Sequence, residues 1–313
     1  MRQRSWAGLS TERVNLASRA LDRLTPLGIA RLMNREDQMA VRRVGRALPA
    51  IGRAVDLIVE ALTHRGRLFF IGAGTSGRLG VLEAAECPPT FGTPPSLVQA
   101  IMAGGRSSVF RSREGAEDDP RAAARAVRAR VRRGDVVVGI SASGVTPFVR
   151  AGLGQARRMG ARTILVVCNP RPARLGGVTI ALSPGPEVLA GSTRLKAGTV
   201  TKLVLNTLTT ASMVRLGRVY GNLMIELQPR SAKLRARALR LVRELGRVSA
   251  PGAARALRAA GGRVRLAVVI ARTGLDTAPA RRLLRQAGGS LRLALESVDG
   301  RPRRAGARRR SAS

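Results

Sequence analysis

The sequence predicts an α/β protein. A parallel β-sheet lies between helices, preceded by a helical region and followed by a small all-helical unit. Three observations lead there. Between residues 67 and 183, short apolar runs alternate with segments of helical period. The runs are apolar at consecutive positions, the pattern of strands buried on both faces. The stretches 10–63 and 250–297 carry the helical period alone. The expected layout is a helical region over residues 1–64, the α/β domain over 65–248, a helical unit over 249–298 and a disordered basic tail over 299–313. A chain of 313 residues is long enough for a large core and a smaller second one.

Each element has its own signal. LASRALDRL and VGRALPAIGRAVDLIVEAL space their apolar residues for a helix. TPLGIARLMN opens with Thr25 as cap and Pro26 at the first helical position. His64 and Gly66 close that region. The strands are RLFFIG (67–72), SLVQAIMAG (96–104), DVVVGIS (135–141), RTILVVC (162–168) and GVTIALS (177–183), and helices such as DPRAAARAVRARVRR and TPFVRAGLGQARRMG separate most of them. Longer helices follow from Thr193 to about Gly217 and from about Ser231 to Leu245, then a helical unit containing APGAARALRAAGG and LDTAPARRLLRQAGGSLRLAL. The tail RPRRAGARRRSAS has too little apolar content to fold.

Composition narrows the function. Hydrophobic residues make up 44%, enough for a globular protein. No run approaches the ~18 apolar residues of a membrane span, and MRQRSWAGLSTERVN lacks the apolar core of a signal peptide. These features predict a soluble, cytoplasmic protein without a membrane partner. Two cysteines, Cys87 and Cys168, cannot build a Cys-rich metal site, and a cytoplasmic setting disfavours a disulfide between them. The formal charge is +37. The arginines are spread through every segment and aromatics are only 2%, so the charge reads as a solvated surface rather than a nucleic-acid footprint. Of 56 basic residues only Lys196, Lys202 and Lys233 are lysines, leaving 53 arginines. A chain that uses arginine almost everywhere keeps lysine where a compact ammonium is needed, which marks Lys196 in particular.

Two loops suit an anion. GAGTSG (72–77) follows the first strand and opens a helix. It has the G-x-G-x-x-G spacing of a dinucleotide fold, but the next strand ends in MAGG without the ribose-binding carboxylate. Thr75 and Ser76 put two hydroxyls into a turn at a helix N-terminus, which favours a terminal phosphate. SASGVTP (141–147) repeats the arrangement after the third strand with Ser141, Ser143 and Thr146, and Pro147 suits the first turn of the next helix. Ordinary capping explains either loop alone. Two such loops at strand carboxyl ends point to one ligand site.

The order GAGTSG…SASGVTP resembles the SIS (sugar isomerase) domain, an α/β sandwich that binds phosphosugars. IGAGTSGRLGVLEAAECPPTFG, EGAEDD (114–119), GSTRLKAGTVTKLVLNTL (191–208) and VYGNLMIELQ (219–228) together resemble the N-acetylmuramic acid 6-phosphate etherases, as does STERVN…LDRL…LMNRED. The resemblance runs from about residue 10 to residue 297. It implies cleavage of the lactyl ether of a phosphorylated amino sugar, a homodimer, and a site near the subunit interface. Glucokinase regulatory protein shares parts of the signature, so a non-catalytic phosphosugar-binding regulator is one alternative. A phosphosugar isomerase is another, and nucleic-acid binding through the tail is a third.

The acid–base inventory is short. The single histidine, His64, precedes the first strand, at the wrong end of the sheet for a ligand. That removes a Ser-His-Asp triad and a histidine-ligated metal, and no metal or cofactor is called for. Carboxylates and Lys196 remain. Glu83 and Glu86 sit on the helix opened by GAGTSG, sharing a face at i, i+3. Glu117 lies with Glu114, Asp118 and Asp119 in the densest acidic group of the chain. The etherase resemblance assigns Glu86, in ECPPTFG, as the acid that helps the lactyl oxygen leave, and Glu117 as the base at C2. The residues themselves leave acid and base open. Two carboxyl groups in different protonation states suffice for such an elimination, with burial or a neighbouring carboxylate holding the acid's proton. Cys87–Pro88–Pro89 is expected to stop the helix just after Glu86 and so fix that carboxylate. Cys87 itself reads as a small buried residue. Thr75, Ser76, Ser141, Ser143 and Thr146 are the expected phosphate ligands. Lys196 either neutralises phosphate, orients a catalytic glutamate, or is a plain helix-surface lysine. The family usually has Asp at position 83 and Ser at position 85, where this chain has Glu83 and Ala85.

Overall fold

The computed structural model describes residues 11–170, 175, 177–227, 229 and 231–300. The chain forms two compact units. One holds the described residues up to Pro88 together with Thr93–Ser212, and the other holds Pro89–Gly92 and the residues from Met213 onward.

The first unit begins with two 3-10 turns, Leu16–Ser18 and Leu21–Arg23, where the sequence period suggests regular helix. Helix α1 (Pro26–Val44) starts as expected, with Thr25 Oγ1 accepting from Gly28 N at 3.1 Å. Helix α2 (Leu48–Thr63) follows, and His64 caps its end, exposed, with Nδ1 2.8 Å from Glu60 O. The elements then alternate: β1 (Leu68–Gly72), α3 (Gly74–Phe91), β2 (Val98–Met102), α4 (Pro120–Arg130), β3 (Val136–Ile140), α5 (Pro147–Arg158), β4 (Arg162–Val167) and β5 (Val178–Ala181), ending in α6 (Lys196–Arg215).

All five strands are parallel, in the order β2-β1-β3-β4-β5. Every residue of β1 and β3 is buried, which is why those runs are apolar without alternation. Phe69, Ile71, Val137 and Leu165 pack against Val127, Val149 and Leu153 of α4 and α5. Burial of each such side chain contributes about 1.5–3 kcal/mol. At the amino ends of the strands, the buried Asp135 carboxylate accepts from Arg67 N (2.9 Å) and Arg132 N (2.8 Å) and pairs with the Arg67 guanidinium at 2.7 Å. That ties the starts of β1 and β3 together. The chain adds β2 on one side of β1 and β3 on the other, so the direction of winding reverses between β1 and β3. Ligand crevices of open parallel sheets form at such a point, beyond the carboxyl ends. Met102, Gly72 and Ile140 are in register, so the loops after β2, β1 and β3 leave the sheet side by side.

One expectation fails here. Helix α3 does not stop at Cys87–Pro88–Pro89 but runs on to Phe91. Proline's fixed φ is compatible with helix. What it removes is the N–H groups that would bond the carbonyls of Ala84 and Ala85. The turn persists because Cys87 and Phe91 are both buried, 1% and 6% exposed. Glu86 therefore lies within a helix, not at its rigid end.

The second unit starts with a hairpin, β6 (Val219–Tyr220) and β7 (Leu223–Met224), paired antiparallel around Gly221–Asn222. Among the described residues five helices follow: α7 (Ala232–Gly246), α8 (Ala250–Ala259), α9 (Val264–Thr273), α10 (Thr277–Gln286) and α11 (Leu291–Val298). Ser231, Ser249 and Ser290 cap three of them through hydroxyls that accept from Leu234 N, Gly252 N and Leu293 N. The sequence reading grouped α7 with the sheet domain, up to residue 248. In the structure its buried face, Ala238, Leu241 and Val242, joins the core of Ile225, Leu227, Ala267 and Val268 instead. Asp299, placed by the sequence reading in the tail, pairs with Arg272 at 2.7 Å. The rest of the basic tail, residues 301–313, and residues 1–10 lie outside the described residues.

Candidate active site

The GAGTSG turn delivers what its glycines suggest. Gly74 has φ +53°, and α3 begins there, directing its free N–H groups outward beyond β1. Thr75 and Ser76 are half-buried in its first turn. Helix α6 approaches the same turn: a Cβ on Gly198 would lie 3.7 Å from Thr75 Cγ2. After β3, the second loop is organised by its own hydroxyls. The buried Ser141 Oγ lies 2.8 Å from Thr146 Oγ1 and accepts from Gly144 N at 3.0 Å, and Ser143 Oγ accepts from Val145 N at 3.3 Å. All five hydroxyl residues thus stand on two neighbouring loops at the switch point.

A cavity of about 270 Å³ opens beside α3's first turn, lined by Gly74, Arg78, Ser108, Arg113, Glu114 and Glu117 among others. Arg78 builds one wall. Its Nε donates to Val109 O at 2.8 Å and its Nη2 to Ser108 O at 3.0 Å, which fastens α3 to the segment leading into Glu117. Glu117 is exposed and sits in the 3-10 turn Ala116–Asp118. Asp119 caps α4 by accepting from Ala122 N at 2.8 Å, so that acid has a structural role.

Glu86 is exposed too, but elsewhere. It lies twelve residues along α3 from Gly74, or about 18 Å at the helical rise. It does not line the Glu117 cavity. A single chain therefore separates the two carboxyl groups. Glu83, one turn before Glu86, is buried rather than on the same open face. Burial first, and the charge of Glu86 as a lesser cause, push its carboxyl above the usual range, against the hydrogen bond from Thr209 and the Lys202 ammonium. Burial pushes the Cys87 thiol up to about 12, consistent with a small core residue rather than a nucleophile.

Lys196 is not a surface lysine. It is 3% exposed, and its ammonium pairs with Glu36 Oε2 of α1 at 2.7 Å. Burial alone would raise the Glu36 carboxyl, but the hydrogen bonds from Lys196 and Asn15 outweigh it and hold that group below the usual range. The amino end of α6 carries its own anion: Glu187 accepts from Lys196 N and Ala197 N, each at 2.9 Å. Sequence reasoning missed Arg78, Glu36 and Glu187. One cue was available. Glu187 is the single acidic residue between Asp135 and Glu226.

A parallel five-stranded sheet with anion-suited turns at its switch point fits the architecture of a SIS domain. The family model of the glucokinase regulatory protein N-terminal SIS domain matches residues 50–157. Curated relatives narrow the class. N-acetylmuramic acid 6-phosphate etherase of Symbiobacterium thermophilum is 51% identical over 257 residues, covering 82% of this chain and 86% of that one. The etherase of Gloeobacter violaceus is 50% identical over 299 residues, covering 94% and 97%. That of Mesorhizobium japonicum is 48% identical over 276 residues, covering 87% and 90%. The chain belongs to the N-acetylmuramic acid 6-phosphate etherase family.

Proposed function

We propose that this protein cleaves the D-lactyl ether of N-acetylmuramic acid 6-phosphate, giving N-acetylglucosamine 6-phosphate and D-lactate in the cytoplasm. Half-identity to etherases over most of both chains, with ECPPTFG and EGAEDD both present, carries the reading. The sugar ring opens, so that the C2 proton becomes acidic beside an aldehyde. Glu117 removes it. The C3–O bond breaks as Glu86 protonates the departing lactyl oxygen, leaving a C2=C3 double bond. Water then adds at C3 and a proton returns to C2. The distal phosphate is held by Thr75, Ser76, Ser141, Ser143 and Thr146, which supplies remote binding energy for the reacting carbons. Lys196, committed to Glu36, acts by fixing the start of α6 beside Thr75.

The separation of Glu86 from the Glu117 cavity supports a homodimer in which each site takes its Glu86 from the second copy. The test is D-lactate release from N-acetylmuramic acid 6-phosphate. Glu86→Gln and Glu117→Gln each lose most turnover while still binding the phosphosugar. Mixed after co-expression, the two inactive variants regain about a quarter of wild-type activity, because half the dimers carry one intact site. Full activity in either variant refutes the assignment, and no recovery on mixing refutes the shared site. A regulator would bind the phosphosugar and release no D-lactate, and an isomerase would leave the ether intact.

A further inference from the structure

The elimination leaves one group of the substrate without a partner. The lactyl substituent ends in a carboxylate, and that anion distinguishes N-acetylmuramic acid 6-phosphate from the sugar phosphate it yields. The cavity that Glu117 lines also contains two donors with no part in the steps above, Arg78 and Ser108.

Arg78 is fixed on one side only. Its Nε donates to Val109 O at 2.8 Å, and its Nη2 to Ser108 O at 3.0 Å and to Ser112 Oγ at 3.3 Å. Its Nη1 has no partner among the described residues. Neutral acceptors thus hold the guanidinium in place and leave its charge unspent. Ser108 is 3% exposed, and its Oγ is buried with no hydrogen-bond partner among the described residues. Buried hydroxyls are nearly always paired. This one has space made for it: a Cβ on Gly104 would lie 2.2 Å from that oxygen. Because Arg78 binds the carbonyl of Ser108 itself, the free guanidinium edge and the orphan hydroxyl belong to one wall. Both can donate, and a carboxylate offers two oxygens to accept. Glu114, Glu117 and Arg113 complete the charged lining, and all three are exposed. The phosphate-suited hydroxyls of Thr75, Ser76, Ser141, Ser143 and Thr146 stand outside this lining, while Gly74 at the start of their turn belongs to it. A second anion position therefore adjoins the first.

We propose that Arg78 and Ser108 bind the lactyl carboxylate and so select the ether-bearing sugar over its product. The proposal rests on the reaction given above. The carboxylate is borne by the carbon attached to the ether oxygen, so holding it orients the C3–O bond within the cavity of Glu117, the base at C2.

Calorimetry in a Glu117→Gln background, where the ether survives, compares N-acetylmuramic acid 6-phosphate with N-acetylglucosamine 6-phosphate. The first is expected to bind about tenfold more tightly or better. Ser108→Ala keeps the carbonyl that anchors Arg78 and is expected to reduce that preference about fivefold. Arg78→Gln is expected to abolish it. Affinity for N-acetylglucosamine 6-phosphate should stay within about twofold in both. In the otherwise native enzyme, a substrate with a carboxamide in place of the lactyl carboxylate should lose kcat/KM, and Arg78→Gln should cost it far less than it costs the acid. Absence of any preference in the Glu117→Gln protein overturns the site. An unchanged preference in either folded variant removes that residue from it, and Ser108→Ala decides alone if Arg78→Gln does not fold. Failure of the underlying reaction reads differently: the wild type would release no D-lactate, whatever its preference between the two sugars.

Discussion

Replacing Lys196 by methionine isolates the pair that fastens α1 to α6. The methionine fills much of the same space and removes only the ammonium. What remains is the Glu36 carboxylate, 6% exposed at its side chain, with Asn15 Nδ2 at 2.7 Å as the one hydrogen-bond donor left to it among the described residues. Removing one partner of a buried ion pair costs about 3–5 kcal/mol, because the other charge is left uncompensated. In a unit of this size that corresponds to a fall in Tm of about 6–20 °C. The pH dependence has a definite sign. In the wild type the Glu36 carboxyl is held below its ordinary range, so its contribution is present above that range and lost as pH falls through the lowered pKa. In Lys196→Met the dominant remaining influence is burial, which favours the protonated acid. The deficit is therefore largest at neutral pH and shrinks toward about pH 4. Far-ultraviolet circular dichroism is the suitable probe, since it reads the helices, α1 and α6 among them, directly. Glu36→Gln combined with Lys196→Met should recover part of the loss, because a neutral amide is cheaper to bury alone. A Lys196→Met protein that melts within about 2 °C of wild type, or a deficit that grows on acidification, refutes the reasoning.

Further outcomes follow from the packing. In Gly77→Ala the new Cβ would lie 2.3 Å from Met102 Sδ and 2.6 Å from Gly72 O, and the latter is backbone that cannot move aside cheaply. We expect destabilisation of about 1–3 kcal/mol or more, together with weakened phosphosugar binding, as the first turn of α3 is pushed off β1. Calorimetry with N-acetylglucosamine 6-phosphate reads both effects, and wild-type affinity and Tm would contradict them. Cys87 and Cys168 are each 1% exposed, and burial pushes both thiols up to about 12. Both should stay unlabelled by a thiol reagent at mildly alkaline pH until the chain unfolds. Prompt labelling of the native protein would show that one of these sites opens.

Much of the architecture was legible locally. The Thr25–Pro26 start of α1, the strand runs and the turn that opens α3 depend on neighbours within a few residues, so the sequence carries their signals directly. The hairpin around Gly221–Asn222 was legible in principle. Its strands are two residues long, too short for any period to register. The continuation of α3 through Pro88 and Pro89 ran against local chemistry, because buried Cys87 and Phe91 hold a turn that the backbone alone would give up.

The site divides in the same way. Sequence marked the candidates for the chemistry: the hydroxyls of two loops, two glutamates in named motifs, and a lysine in an arginine-rich chain. It could not say that Glu83 is buried while Glu86 is open, that Lys196 spends its charge on Glu36, or that Glu86 lies well along α3 from the turn beside which the Glu117 cavity opens. Those facts depend on which surfaces the fold brings together from distant parts of the chain. A side chain's protonation and partners follow its surroundings, and its surroundings exist only once the sheet has set the register of the loops around it.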